Sequence, residues 1–182
     1  MAIGEGGQRI ALVVAAAAAA VALYGVPSWA QPFTDVCVLA FLISGATVVL
    51  LGLTRRGGAT GIAVERAWIA LFLAGMPVVY VVRWMGAGGG DAHAHPRWLV
   101  VELLGLAAYG GLAIAGWRRW PWLLPVGVAA HGIPWDAWHL LGAAVVPPWY
   151  ARGCLIVDVG LAIYLATRVA TWRVAPPVSS RS

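Results

Sequence analysis

The stretch His131-Gly132-Ile133-Pro134-Trp135-Asp136-Ala137-Trp138-His139 sets two imidazoles and a carboxylate among indoles and aliphatic residues. Imidazole and carboxylate are the side chains that ligate divalent metals and exchange protons near neutral pH. Two more acids, Glu102 and Asp158, interrupt the apolar runs before and after this stretch. Ionisable groups inside apolar spans face a bundle interior, where partners or water can reach them. Carboxylates and imidazoles from facing helices are also how helical bundles build metal sites. Asp136, His139 and Asp158 are therefore the expected ligands of a divalent metal. Glu102 is the expected general base, and His131 a ligand or a proton shuttle. Two imidazoles with carboxylates suit zinc, and more carboxylates would shift the preference to iron or manganese.

Local geometry orders these groups. Asp136 and His139 lie about one helical turn apart and meet on one face. His131 sits ~80° from His139 around an ideal helix. Pro134 between them removes one backbone hydrogen bond and kinks the helix, a bend that brings His131 toward the same face.

The elements that must position these residues are apolar. The chain is 62% hydrophobic and 10% charged, with a mean hydropathy of +0.83. Soluble domains carry about a quarter charged residues, so the class is an integral membrane protein. Runs at 10–26, 34–53, 66–85, 98–117, 121–141 and 153–172 each approach the ~20 residues that cross a bilayer. The expected fold is an all-α transmembrane bundle of six helices in one membrane domain. Glycine and proline mark the breaks, at Pro27, Gly57-Gly58, Gly86 to Gly90 and Pro147-Pro148. Arg9, the apolar core after it and Ser28-Trp29-Ala30 also resemble a secretory signal with its cleavage site. A retained first helix is the preferred reading, and cleavage would leave five spans. Trp84, Trp98, Trp117, Trp120, Trp122, Trp149 and Trp172 fall at span ends, where interfacial anchors belong.

Charge sets orientation. The basic residues number 12 and the net charge is +5, all of it from arginine. With both termini cytoplasmic, the inner side gathers Arg9, Arg55, Arg56, Arg66, Arg118, Arg119, Arg168, Arg173 and Arg181. The outer side keeps Arg83, Arg97 and Arg152, which is the positive-inside bias of a bacterial-type inner membrane protein. Arginines that flank spans form no single patch, so nucleic acid is excluded as a partner, and the bilayer is the partner that remains. In this orientation Glu102 lies ~6 Å and Asp158 ~9 Å below the outer boundary. Asp136 and His139 fall within about two turns of the outer end of their span, and His131 lies deeper. Acids and imidazoles from three consecutive spans thus share one leaflet, while few polar groups are expected below His131.

Other chemistries find little support. There is no GxSxG, no HExxH and no glycine-rich phosphate loop. Ser44 has no activating histidine on its own helix. Both spanning histidines lie on one helix, which disfavours a haem held between two imidazoles. Cys37 and Cys154 form no CxxC pair and read as buried thiols. Asp35 reads as a helix cap, Asp91, His93 and His95 as a solvated outer loop, and Trp135 and Trp138 as core fillers.

From Glu102 to Tyr164 the chain resembles a bacterial family of small membrane proteins catalogued as domain of unknown function 6010. Its pattern has a Glu in one helix, then His-x-x-Trp-Asp-x-x-His-His, a proline-containing loop and Gly-Cys-x-x-x-Asp. Glu102, His131, Trp135-Asp136-Ala137-Trp138-His139, Pro147-Pro148, Gly153-Cys154 and Asp158 stand at these positions. The chain departs twice: Pro134 is an extra residue between His131 and Trp135, and Leu140 replaces the second His of the pair. The resemblance implies that the five polar residues work as a unit, and it brings no known activity. The functional expectation is a metal-dependent membrane hydrolase acting on a lipid or other apolar substrate. The alternatives are a proton- or ion-coupled transporter, a small-molecule binding protein, and a structural membrane subunit.

Overall fold

The computed structural model describes residues 34–54, 58–86, 96–142 and 145–174. The expected first span (10–26), the loop residues Asp91, His93 and His95, both termini, and the side chains of Asp35 and Cys37 lie outside the described residues. The described chain is helical: α1 (Thr34–Thr54), α2 (Gly58–Gly86), α3 (Arg97–Arg118), α4 (Leu123–Ala130), a π-helical turn (His131–Asp136), α5 (Ala137–Leu141) and α6 (Pro148–Val174). Three of these, α2, α3 and α6, are long and apolar enough to cross a membrane, and α1 contains a shorter apolar helix, Leu42–Thr54. Helices suit such runs because each satisfies its own backbone polar groups without water.

Two elements differ from the sequence expectation. The run at 121–141 is not one regular helix: it passes through α4, the π turn and α5, because Pro134 has no N–H to continue an α ladder. Helix α2 starts at Gly58, ahead of the expected 66, and so carries Glu65 inside the helix and out of contact with solvent.

Helix α2 is the hub. It packs against α1, α3, α4 and α6, while α3 packs on α4 and α4 on α6, closing a ring of four. On the α1 side, Trp68 Nε1 donates to Thr47 Oγ1 at 3.0 Å. Thr47 and Ser44 in turn donate to backbone carbonyls one turn earlier, as hydroxyls do in apolar helices. The polarity of the assembly is the reverse of a soluble protein. Leu53, Leu71, Val100, Leu104 and Ile163 are exposed, whereas Glu65, Glu102, His131, Asp136, His139 and Asp158 are buried. An apolar surface around a polar interior is at home in lipid.

Along α2, Glu65 and Tyr80 are ~22 Å apart. Between their levels lies an apolar layer of fully buried Ile69, Leu73, Leu124, Val128, Leu161 and Leu165. Below that layer Arg168 of α6 clamps Glu65 with Nε to Oε1 and Nη2 to Oε2, each at 2.9 Å. Tyr164 Oη and Trp172 Nε1 donate to the same carboxylate at 3.3 and 3.2 Å. Nearby, Arg66 Nη2 donates to the Trp117 carbonyl at 2.6 Å, tying the start of α2 to the end of α3. One end of the bundle therefore collects Arg66, Arg118, Arg119 and Arg168.

Removing one member of a buried pair strands the other charge, which costs about 3 kcal/mol or more. Arg168→Met is expected to destabilise the folded protein by about that amount. Glu65→Gln/Arg168→Met together is expected to recover most of the loss, as read by thermal unfolding in detergent.

Candidate metal centre

Above the apolar layer, the bundle encloses the five acids and imidazoles that the sequence placed inside apolar spans, Glu102, His131, Asp136, His139 and Asp158. Glu102 comes from α3, His131 and Asp136 from the two ends of the π turn, His139 from α5 and Asp158 from α6. The π turn decides how they group. Five residues along an α-helix would set His131 and Asp136 about 140° apart. A turn that closes from i to i+5 brings them to the same side. His131 Nδ1 lies 2.8 Å from Asp158 Oδ2 and 3.6 Å from Asp136 Oδ2. One ligand atom from each of His131, Asp136 and Asp158 falls within 4.8 Å of the others, and all three residues are buried. This is the group, among the described residues, that could hold a metal ion.

The ligand set thus differs from the sequence expectation, which put His139 with the two aspartates. His139 Nε2 instead lies 3.1 Å from Glu102 Oε1. That contact is not a hydrogen bond, and neither Glu102 oxygen has a hydrogen-bond donor among the described residues. Glu102 and His139 form a second acid–imidazole pair beside the first. The expected Asp136–His139 pairing, one turn apart on an α-helix, gives way because the wider turn rotates Asp136 toward His131.

Pro134 makes that turn possible, and a tyrosine completes it. Without a proline N–H, the Ala130 carbonyl one α-turn back loses its α-ladder donor. Tyr109 Oη of α3 donates to it at 2.9 Å. The Tyr109 ring also meets the His131 ring edge-on, with centroids 5.2 Å apart. Gly132 allows α6 to approach: a Cβ there would lie 2.8 Å from Asp158 Cβ. Gly105 of α3 likewise leaves room for the Trp135 indole, which a side chain would strike.

Aromatic rings close one side of the cluster. Trp138 lies 5.0 Å from Trp98, 5.8 Å from Trp135 and 4.7 Å from His139, centroid to centroid. The guanidinium of Arg97 sits 5.1 Å over Trp98, at the start of α3. Trp135 and Trp138 are packing residues of the site's wall, in keeping with their expected role. Cys154 of α6 is half-buried and in no disulfide among the described residues.

Two participants escaped the sequence reading. Tyr80 of α2 donates its hydroxyl to Asp136 Oδ1 and stacks on His139. Tyr109 caps the broken ladder. Both stand in apolar runs, where a tyrosine passes for core filling. The available signal was the hydroxyl, since a buried phenol requires an acceptor.

No family profile, no curated protein and no solved structure matches the chain.

Because Gly132 and Asp158 touch backbone-to-stem, Gly132→Ala must push α6 away from the π turn. The expected result is a loss of ~1–3 kcal/mol of stability, the usual consequence of overpacking. Alanine at the open position Gly110, where a Cβ meets nothing within 4 Å, is expected to be neutral in the same unfolding measurement.

Proposed function

We propose that this chain is an integral membrane metalloenzyme that hydrolyses a lipid or other apolar substrate at a centre held by His131, Asp136 and Asp158. The observation that carries this reading is the buried convergence of those three ligand atoms within 4.8 Å. Buried carboxylates at this density need a cation or shared protons. His131 Nε2 and Asp136 Oδ2 are moreover without a hydrogen-bond partner among the described residues. A divalent metal there would supply a water whose pKa falls toward 7, a nucleophile at neutral pH. Glu102, backed by His139, is the base that takes the proton. One imidazole and two carboxylates make zinc, manganese and iron the fitting metals. The apolar exterior and the aromatic wall around Trp138 fit a substrate that arrives from the lipid. The apolar layer beneath His131 argues against a proton or ion path across the bundle, since a conduit needs polar groups in series.

The proposal includes the topology: six spans with the first at 10–26, both termini cytoplasmic, in a bacterial-type inner membrane. The gathering of Arg66, Arg118, Arg119 and Arg168 at one end supports this orientation. Membership of the family catalogued as domain of unknown function 6010 is part of the same proposal. A π turn takes up one residue more than an α turn, which gives the additional Pro134 a place without displacing its neighbours.

A structural network is the second reading, favoured by the Tyr80–Asp136 and His131–Asp158 contacts, which pair the groups without an ion. Elemental analysis of protein purified without a histidine tag separates the two. Near-stoichiometric zinc, manganese or iron, lost in His131→Ala and Asp158→Asn, is the expected result. Glu102→Gln is expected to keep the metal and abolish hydrolysis of ester or phosphodiester lipids in proteoliposomes. A metal-free protein indifferent to chelators, yet destabilised by Asp136→Asn, establishes the structural network instead.

Orientation is checked separately. Cysteine reporters placed between 86 and 95 are expected to react with an impermeant reagent from outside, and reporters beside Arg118 only after permeabilisation.

A further inference from the structure

Helix α2 contributes no acid or imidazole to the centre among the described residues, yet it sends one side chain into its middle. Tyr80 is fully buried. Its hydroxyl donates to Asp136 Oδ1, which leaves Asp136 Oδ2 as the oxygen turned to His131, 3.6 Å away. Its ring stacks on His139 with centroids 4.2 Å apart and planes at 25°. The same ring meets His131 edge-on at 5.8 Å and Tyr150 at 6.1 Å. One side chain therefore touches both acid–imidazole pairs, the His131–Asp158 pair through the orientation of Asp136 and the Glu102–His139 pair through the stacked ring.

A tyrosine that only filled space would do so as well as phenylalanine. The hydroxyl aimed at a carboxylate oxygen is what distinguishes this one. A carboxylate has two oxygens and a soft terminal torsion, so a free Asp136 would swing between His131 and its other neighbours. A donor fixed on Oδ1 removes that freedom and presents Oδ2 to the centre. Partners that orient metal ligands in this way usually change metal affinity by ~10–100-fold when removed.

We propose that Tyr80 is the positioning residue of the centre: its hydroxyl sets the Asp136 carboxylate for metal binding, and its ring holds His139 in register with Glu102. This inference rests on the metal reading given above. It also assigns α2 a role in the site, beyond its place as the packing hub.

The test is a cobalt(II) titration of untagged, metal-depleted protein in detergent, for wild type, Tyr80→Phe, Asp136→Asn and the double variant. Visible absorption reports coordination geometry, and competition with a chelator gives affinity. Tyr80→Phe is expected to bind cobalt ~10–100-fold more weakly, with a changed spectrum that a loss of stability alone would not produce. In the Asp136→Asn background, the added Tyr80→Phe change is expected to have no further effect, because the hydroxyl acts through that carboxylate. This second comparison leaves no charge at position 136 and so does not depend on the single Tyr80→Phe protein folding. A Tyr80→Phe protein with wild-type affinity and spectrum overturns the role of Tyr80 and leaves the centre standing. An additive loss in the double variant overturns the route through Asp136. Wild-type protein that takes up no cobalt overturns the centre itself, and the role of Tyr80 with it.

Discussion

A carboxylate inside a bundle with an apolar exterior has no water to turn to, and each one here is met by a side chain from another element. Glu65 of α2 is held by Arg168 of α6, and Asp158 of α6 by His131 of the π turn. Asp136 of the π turn takes the hydroxyl of Tyr80 on α2, and Glu102 of α3 faces His139 of α5. These pairings cross the ring α2–α3–α4–α6 at several levels. Between apolar helices in lipid there is no hydrophobic gradient to select one packing over another. Breaking a buried pair is costly, so the pairings favour the arrangement in which each buried acid of the described residues faces an imidazole, a guanidinium or a phenol.

The two polar levels meet that requirement to different degrees. Glu65 is saturated: guanidinium, phenol and indole all donate to it. Nothing in that cluster is left to bind anything else, and it reads as a clamp between α2 and α6. The upper cluster is under-satisfied, with His131 Nε2, Asp136 Oδ2 and both Glu102 oxygens lacking hydrogen-bond partners among the described residues. Native interiors seldom leave such atoms without a reason, and a functional site or a bound ion is among the usual ones. The apolar layer between the levels separates the two clusters in space, so neither supplies partners to the other.

Everything distinctive about the upper cluster passes through the π turn. Pro134 removes the α-ladder N–H, Tyr109 donates its hydroxyl to the Ala130 carbonyl that lost that donor, and Gly132 lets α6 come close enough for Asp158 to reach His131. Each of these is a local departure from helix regularity, and each is matched by a compensating contact from a neighbouring helix. Wide turns of this kind are rare in helices and recur at functional sites.

Hydropathy alone determined that the chain is helical and built for a membrane, because a bilayer admits so few backbone solutions. Four of the expected runs, 34–53, 66–85, 98–117 and 153–172, each lie within a single helix, and the helices extend furthest past them at the starts of α2 and α6. The same reading picked out Glu102, His131, Asp136, His139 and Asp158, since ionisable residues in apolar runs are visible by contrast. It could not tell which acid meets which imidazole. That depends on angle around the helix, and the angle was set by one π turn rather than by the α period that a sequence pattern assumes. Nor could it find Glu65, which stands where a span boundary was drawn, or Tyr80 and Tyr109, whose rings blend into apolar runs. Their roles come from partners far away in the chain, on helices that only the packed bundle brings within reach.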